Sequence, residues 1–331
     1  MSDPLDVSVI IVSWNTRDIL RECLASVYAE TRGVCFEVIV IDNASTDGSP
    51  EMVKRDFPQA RLVQNTHNRG FAAANNQGIA LSAGRYVLLL NSDTIVLDNA
   101  ISKTAAFADV NPRAAVIGCR VLNRDRTLQP TCFMYPSALN MLLSAGYMYK
   151  LFPYSRFFGR ERMTWWHRDD VREVDVVTGC FMWVRREAID HVGVMDESFF
   201  MYGEETDWCC RFRQAGWKVL FTPDANIIHL GEASSRQATH KMRLQLSGSI
   251  LYFLKKHRGT PEYVLACALT AVFFLVRIPG WLLKGCIWGS ERSRSWRVVR
   301  MYAAGAVGAL RGYRGLCVAS RHEPCSAPRP V

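Results

Sequence analysis

Three short runs before residue 92 are apolar almost throughout: Val7-Ser8-Val9-Ile10-Ile11-Val12, Phe36-Glu37-Val38-Ile39-Val40-Ile41 and Arg85-Tyr86-Val87-Leu88-Leu89-Leu90. A strand with one wet face alternates, whereas a strand apolar at nearly every position is buried on both faces, as in a parallel sheet covered by helices. Each run stops on a polar cluster: Ser13-Trp14-Asn15-Thr16, Asp42-Asn43-Ala44-Ser45-Thr46-Asp47-Gly48-Ser49, and Asn91-Ser92-Asp93. Between them Leu20, Leu24, Val27 and Tyr28 fall at helical spacing behind an N-cap at Asn15 or Thr16. The pattern goes on with a helix near 50–57, a strand at 61–64, the loop His67–Phe71 and a helix at 72–82. Strand and helix in alternation predict an α/β fold with right-handed crossovers. Ligands of such sheets bind beyond the carboxyl ends of the strands, so the clusters and the Asn68–Gly70 loop point to one sheet edge.

Farther along the chain the pattern predicts a helix at 98–108, a strand at Ala114–Val121, strands at Val174–Val177 and Cys180–Val184, and a helix at Arg185–Val192. After these come a helix at 203–216, strands at Lys218–Thr222 and Ile227–Leu230, and a helix over 236–257. The stretch 133–168 is aromatic and irregular, and Glu323–Val331, with three prolines, is expected to fray. The 331 residues, 49% of them apolar, suffice for a full core. Eleven cysteines without a C-x-x-C pair argue against a disulfide scaffold or a zinc ribbon and fit a reducing compartment. The N-terminus lacks the basic flank and long apolar run of a signal peptide.

Net charge is +9, but its distribution matters more. Residues 255–331 carry 13 Lys and Arg against 3 acids, and residues 1–254 carry 27 against 28. A neutral body removes the case for nucleic-acid binding. A basic tail mixed with apolar runs points to an anionic membrane surface. Tyr263–Val276 is uncharged, but Arg277, Pro279 and Gly280 interrupt the apolar run beyond it, so 263–283 reads as a helix lying in the interface rather than a regular span.

The strand-end residues carry the candidate chemistry. Asp93, fixed on one side and wet on the other, suits a hard divalent cation; it also reads as a cap for the helix at 98–108. The Asp42–Gly48 segment reads as a turn or as a carboxylate and amide set for a base and ribose. Small residues at 70 and 72–74 permit close approach, and Asn75 and Asn76 are polar inside an apolar helix. Glu204, Glu205 and Asp207 open a helix, where the helix dipole alone would favour them; one in a partly dry pocket would serve as a general base. His229 reads as a metal ligand or as a packed histidine.

In order, VSVIIVSWN, VIDNASTDGS, NRGFAAANNQG, LLLNSDT, GCFMWVRREAIDHVGVMDESFFMYGEETDWCCRFRQAGW and HLG resemble the family 2 inverting glycosyltransferases of the GT-A fold, above all bacterial rhamnosyltransferase-like members that build cell-envelope polysaccharides. The resemblance covers about residues 7–255. It implies a mostly parallel sheet flanked by helices, a nucleotide-binding part at about 1–110, an acceptor part at 111–255, and a C-terminal apolar and basic helical extension at 256–331. It implies that Asp42 contacts uracil or thymine, with Val12, Ser13 and Asn15 lining the pocket, and that Asn68, Gly70 and Asn75 cradle the nucleotide. Asp93 matches the last acid of the D-x-D motif, with Asn91 in its first position and Ser92 between, and His229 matches a further ligand of Mg²⁺ or Mn²⁺. Glu205 matches the second acid of a Gly-Glu-Asp motif, leaving the base between Glu205 and Glu204, and Asp196 and Glu197, with Asp207, fall on the acceptor side.

The implied reaction moves a sugar from a nucleotide diphosphate, dTDP-rhamnose first and a UDP-hexose second, to a hydroxyl of a lipid-linked saccharide at the cytoplasmic face of the inner membrane, the protein being peripheral. A non-catalytic sugar- or nucleotide-binding subunit of an assembly complex is the alternative. A dehydrogenase would need G-x-G-x-x-G after the first strand and a P-loop enzyme G-x-x-x-x-G-K-[ST]; neither occurs, nor does a Gly-rich nucleotidyltransferase loop. Oligomeric state is not legible.

Overall fold

The computed structural model describes residues 5–231, 239–288 and 291–316. They fall into two units, one holding 5–135, 148–200 and 204–231, the other 136–147, 201–203, 239–288 and 291–316.

The first unit is built on one large sheet and a small two-stranded sheet. Its strands are β1 (Val7–Ser13), β2 (Phe36–Asp42), β3 (Arg61–Gln64), β4 (Tyr86–Asn91), β5 (Thr94–Leu97), β6 (Ala114–Leu122), β7 (Leu128–Gln129), β8 (Cys132–Phe133), β9 (Arg172–Glu173), β10 (Val176–Val177), β11 (Phe181–Arg185) and β12 (Lys218–His229). The main order is β3-β2-β1-β4-β11-β6-β12-β5, with β7 on β6 and β9 on β12, while β8 and β10 pair separately. The strands β3, β2, β1 and β4 run parallel, as expected from their all-apolar sequences, and β6 and β12 form a further parallel pair. Helices α1 (Arg17–Glu30), α2 (Ser49–Asp56), α3 (Phe71–Leu81) and α4 (Ala100–Val110) form the crossovers of the N-terminal half. The Val9, Ile11, Val38 and Val40 side chains face one core layer with Leu20, Leu24 and Val27. Ile10, Ile39 and Ile41 face the other with Ala72, Ala74 and Ile79, so helices cover both faces. Gly78 permits this contact, since a Cβ there would come within 2.4 Å of Ile10.

Two expectations are corrected here. The residues after Asp93 form a strand, β5, which pairs antiparallel with the end of β12, and the helix begins at Ala100. The pieces read at 218–222 and 227–230 are one strand whose register slips between Thr222 and Asn226. Pro223, with no N–H to give the ladder, lies in the slip. Thr16 occupies the N-cap of α1 without capping it; Asp47 Oδ2 instead accepts the Arg17 N–H at 2.8 Å, so the turn after β2 holds the start of α1.

The aromatic stretch contains α6 (Met148–Leu151) and is tied together by Arg168. Its buried guanidinium donates to the carbonyls of Met163, Trp166, Arg162 and Cys132 at 2.6–3.3 Å, and burial lowers its pKa. Helices α7 (Arg186–Val192) and α8 (Glu204–Gln214) complete the unit. Buried Asn76 clamps α3 to the segment after α7, because its side chain donates to Met195 O at 2.9 Å and accepts from Met195 N at 3.1 Å.

The second unit contains α5 (Ala138–Ala145), α9 (Thr239–His257), α10 (Thr260–Leu275), α11 (Ile278–Ile287) and α12 (Arg292–Leu310). The helix expected over 263–283 is interrupted at Val276–Arg277. Pro279 cannot donate to Leu275, and Arg277 folds back, its guanidinium 2.8 Å from the Phe273 carbonyl and 3.6 Å from that ring's centroid. Thr260–Ile287 is nonetheless long and apolar enough to cross a membrane by length and composition, and most of it is not buried. The expected fraying at 323–331 and the first residues of the helix expected from 236 lie outside the described residues.

Replacing Asn76 by Ala strands the Met195 N–H and carbonyl inside the unit. The expected cost is about 2–3 kcal/mol of unfolding free energy, read as a lower urea midpoint.

Candidate active site

The carboxyl ends of β1, β2 and β4 lie side by side, with Ser13 opposite Asp42 and Val12 opposite Asn91. This register brings the first and last strand-end clusters together. Thr16 Oγ1 reaches Ser13 Oγ at 3.0 Å and donates to Ser92 Oγ at 3.2 Å. Asn15, at φ +54°, uses its Oδ1 to accept from Thr46 N at 2.8 Å, which fixes the turn after β2 against the end of β1.

Asp42 is almost wholly buried at the end of β2. Its Oδ2 accepts from Ser45 N at 3.0 Å, and its Oδ1 is buried with no hydrogen-bond partner. A desolvated carboxylate oxygen left in that state costs free energy unless a donor arrives. A ligand N–H would satisfy it.

The loop before α3 is held by amides, of which Asn65 carried no signal in the sequence. Asn65 Nδ2 donates to Asn43 Oδ1 and Gln77 Oε1, both at 2.9 Å, and Asn43 Nδ2 donates to Gly70 O at 3.2 Å. Asn68 Oδ1 accepts from Gly70 N at 2.9 Å. Gly70 has φ +83°, and a Cβ there would lie 2.4 Å from Phe200 O, the acceptor of Phe71 N at 2.9 Å. Only glycine fits where the backbones meet. Asn75 turns inward, donating to Phe71 O at 2.9 Å, so it shapes the helix.

Asp93 and His229, far apart in sequence, meet. The pairing of Thr94 with His229, extended by Leu230 N donating to Asp93 O at 2.8 Å, brings Asp93 Oδ1 to 3.2 Å from His229 Nε2. Asn91 Nδ2 lies 3.3 Å from the same nitrogen, and His229 Nδ1 lies 2.7 Å from Gln129 Oε1. A carboxylate oxygen and an imidazole nitrogen converging in this way form a donor pair suited to Mg²⁺ or Mn²⁺. Among the described residues no group of three or more His, Cys, Asp or Glu is placed to hold an ion, so the remaining ligands of a bound cation would come from substrate and water. Gln129 carried no sequence signal, because a two-residue strand has no periodicity to read.

Glu204 and Glu205 open α8; Glu204 is buried and Glu205 half-buried. The Val177–Cys180 segment links their surroundings to the cation pair. At one end Cys209 bonds to Val177, its thiol pushed up by burial and further by the Glu205 charge. At the other, Cys180 O accepts from Asn91 N at 3.1 Å. Burial pushes the Cys180 thiol up to about 11, with the Asp93 charge adding to the rise, and burial pushes Cys23 up to about 12. These buried thiols pack rather than react. Three residue steps span at most about 10 Å, which bounds the length of the link. On the other side Glu197 Oε1 accepts from Asn76 Nδ2 at 3.0 Å, and Asp196 Oδ1 accepts from Ser198 N at 2.9 Å. Asp207 stands apart: fully buried, it pairs with Arg211 at 2.8 Å, and Arg211 donates to the carbonyls of Val192 and Val194.

Comparison with known proteins places the chain in one family. The profile of glycosyl transferase family 2 covers residues 8–193. An N-acetylglucosaminyl-diphospho-decaprenol L-rhamnosyltransferase of Mycobacterium tuberculosis is 27% identical over 273 residues, 78% of this chain and 87% of that protein. An O-antigen biosynthesis protein, RfbC, of Myxococcus xanthus is 27% identical over 232 residues, 70% of this chain and 18% of that one. Among solved structures, a mannosyltransferase of Pyrobaculum calidifontis in complex with GDP-Man and Mn²⁺ superposes with a TM-score of 0.55 at 17% identity, covering 94% of this chain and 88% of that one. The mostly parallel sheet flanked by helices is that of the GT-A fold, and further helices are present toward the C-terminus. The chain belongs to glycosyl transferase family 2 and is a glycosyltransferase.

Proposed function

We propose that the enzyme transfers a sugar, rhamnose from dTDP-rhamnose in the first place and a hexose from a UDP-sugar in the second, with inversion, to a hydroxyl of a lipid-linked saccharide in cell-envelope polysaccharide synthesis. The observation that carries the reading is the convergence of Asp93 and His229 at the sheet edge that also holds the unsatisfied Asp42 oxygen. The Mycobacterium tuberculosis relative, named for a diphospho-decaprenol acceptor and a rhamnosyl donor, supports the choice of substrates.

Asp42 Oδ1 accepts the N3–H of uracil or thymine, a donor that cytosine lacks. Val12, Ser13 and Asn15 line the base and ribose pocket, and Asn68, Gly70 and Ser92 lie along the nucleotide. Asp93 and His229 would hold Mg²⁺ or Mn²⁺, with Asn91 beside them, and the ion's charge would there offset that growing on the departing diphosphate. Glu205 takes the proton of the acceptor hydroxyl as the acceptor oxygen bonds to the anomeric carbon, and the bond from that carbon to the diphosphate oxygen breaks. One displacement from the opposite face inverts the centre. Glu205 is preferred over Glu204 because it is the more exposed of the two. Asp196 and Glu197 stand on the acceptor side, Glu197 being fixed by Asn76.

The catalytic domain is assigned to 1–255, and 256–331 to an extension that rests on the cytoplasmic face of the inner membrane. Support comes from the helices of the second unit, where Val264, Leu265, Val272, Leu275, Leu283, Ile287 and Trp288 are exposed on a segment flanked in sequence by Lys255, Lys256 and Arg258 and by Arg292, Arg294 and Arg297. Apolar side chains with Lys and Arg around them are what an anionic bilayer surface binds.

Glu205→Gln is expected to keep nucleotide binding and lose about 10²- to 10⁴-fold in kcat, in an assay of dTDP- or UDP-sugar turnover with Mn²⁺. Turnover near the parent level would move the base elsewhere. No turnover by the parent with any donor and a lipid-linked acceptor would favour a binding subunit.

Asp42→Ala is expected to weaken binding of both dTDP and UDP by about 10- to 100-fold in calorimetric titration, as loss of one charged hydrogen bond predicts.

The full chain is expected to float with phosphatidylglycerol vesicles and less with phosphatidylcholine ones. Leu283→Asp combined with Ile287→Asp should leave it in the soluble fraction.

A further inference from the structure

Gln129 touches His229 twice and is itself held in a single orientation. Its Oε1 lies 2.7 Å from His229 Nδ1, while its Nε2 donates to Asn123 Oδ1 at 2.9 Å and to the His229 carbonyl at 3.4 Å. Both partners of Nε2 are carbonyl oxygens, which only accept, so the amide can sit only with Oε1 toward the ring. The same order is imposed from the far end. The Asp125 carboxylate accepts the Thr127 hydroxyl at 2.6 Å and the Thr127 N–H at 3.0 Å. That hydroxyl, its one proton committed, accepts from Asn123 Nδ2 at 2.9 Å, which turns Asn123 Oδ1 toward Gln129. A tight hairpin keeps the groups in place: Asn123 N donates to Thr127 O at 2.8 Å, and β7 pairs with β6. Every hydrogen bond from His229 to Asp125 therefore runs one way.

We propose that Gln129 is a positioning residue for the cation site, accepting the Nδ1–H of His229 and so turning Nε2 toward Asp93 as the ring atom on which an ion would replace the proton. The ring nitrogen that carries the proton is set by the partner of the other one. Here that partner accepts, and Nε2, 3.2 Å from Asp93 Oδ1, is left as the metal-facing atom. Asn91 Nδ2 lies 3.3 Å from the same atom. The inference rests on the reading of His229 as a metal ligand. It adds that the Asn123–Gln129 hairpin belongs to the site.

The test uses the full-length chain with ¹⁵N-labelled histidine, metal-free at neutral pH, the His229 ring being identified by its loss in His229→Gln. Long-range ¹H–¹⁵N spectra read the tautomer, and electron paramagnetic resonance reads Mn²⁺ binding with dTDP or UDP present. The parent is expected to show a proton on Nδ1. Gln129→Leu should shift the ring toward the Nε2–H form, which Asp93 accepts, and bind Mn²⁺ about 10- to 100-fold more weakly, the usual loss when a partner of a metal ligand is removed. Gln129→Glu, which keeps an acceptor for Nδ1–H, should recover both, and Asn123→Ala should shift both in the direction of Gln129→Leu. Parent tautomer and parent affinity in a folded Gln129→Leu would overturn the assignment. Failure of the parent itself to take up Mn²⁺ would overturn the cation site, and the tautomer, read without metal, tells that failure apart from the other.

Discussion

The antiparallel pairing of β5 with the end of β12 sets the distance on which the site depends. Thr94 lies opposite His229, Ile95 opposite Ile228, and Leu230 N donates to Asp93 O. Slipping this ladder by one residue would turn each side chain to the other face and separate Asp93 from His229. The core secures the register, because Val96 and Ile227 are both buried against the layer that includes Ala100 and Ile101. A carboxylate and an imidazole more than a hundred residues apart are thus brought to hydrogen-bond distance by apolar packing behind them, not by their own attraction.

Around that pair the fold uses amides where the substrate region needs rigidity without added charge. Asn43, Asn65 and Gln77 hold the loop before α3 from one side, and Asn76 holds the Met195–Glu197 segment to the same helix. The loop at Gly70 and the Met195–Glu197 segment therefore share α3 as a common support. Gly70 is the one point where loop and Phe200 backbone come too close for any side chain. Positions held this firmly reduce the reorganisation required when a donor binds.

Much of this was legible because burial on both faces leaves a plain record. The apolar runs at 7–12, 36–41 and 85–90 named three strands of the parallel sheet and the edge where their polar ends gather, and the ordered motifs named the family. What escaped is what depends on neighbours distant in sequence. β5 is four residues long, too short to show a period, and it exists because β12 offers it an edge. β12 reads as two pieces because Pro223 breaks its pattern, although the strand absorbs the break as a slip in register. Thr16 looks like a cap, yet Asp47 caps α1, and Thr16 joins Ser13 to Ser92 instead. Asp207 reads as part of an acidic cluster, although the i,i+4 spacing to Arg211 in the helix expected at 203–216 already offered the pairing the structure shows.

The proposed chemistry stands or falls on Asp93 and His229 forming together the protein's half of a cation site that faces the donor diphosphate. An anomalous difference map at the manganese edge, from crystals grown with Mn²⁺ and dTDP or UDP, would locate the ion. One strong peak is expected between Asp93 Oδ1 and His229 Nε2, at about 2.0–2.3 Å from each and in contact with the diphosphate. A diphosphate bound at this sheet edge with the manganese elsewhere, or with His229 outside its coordination sphere, would contradict the assignment.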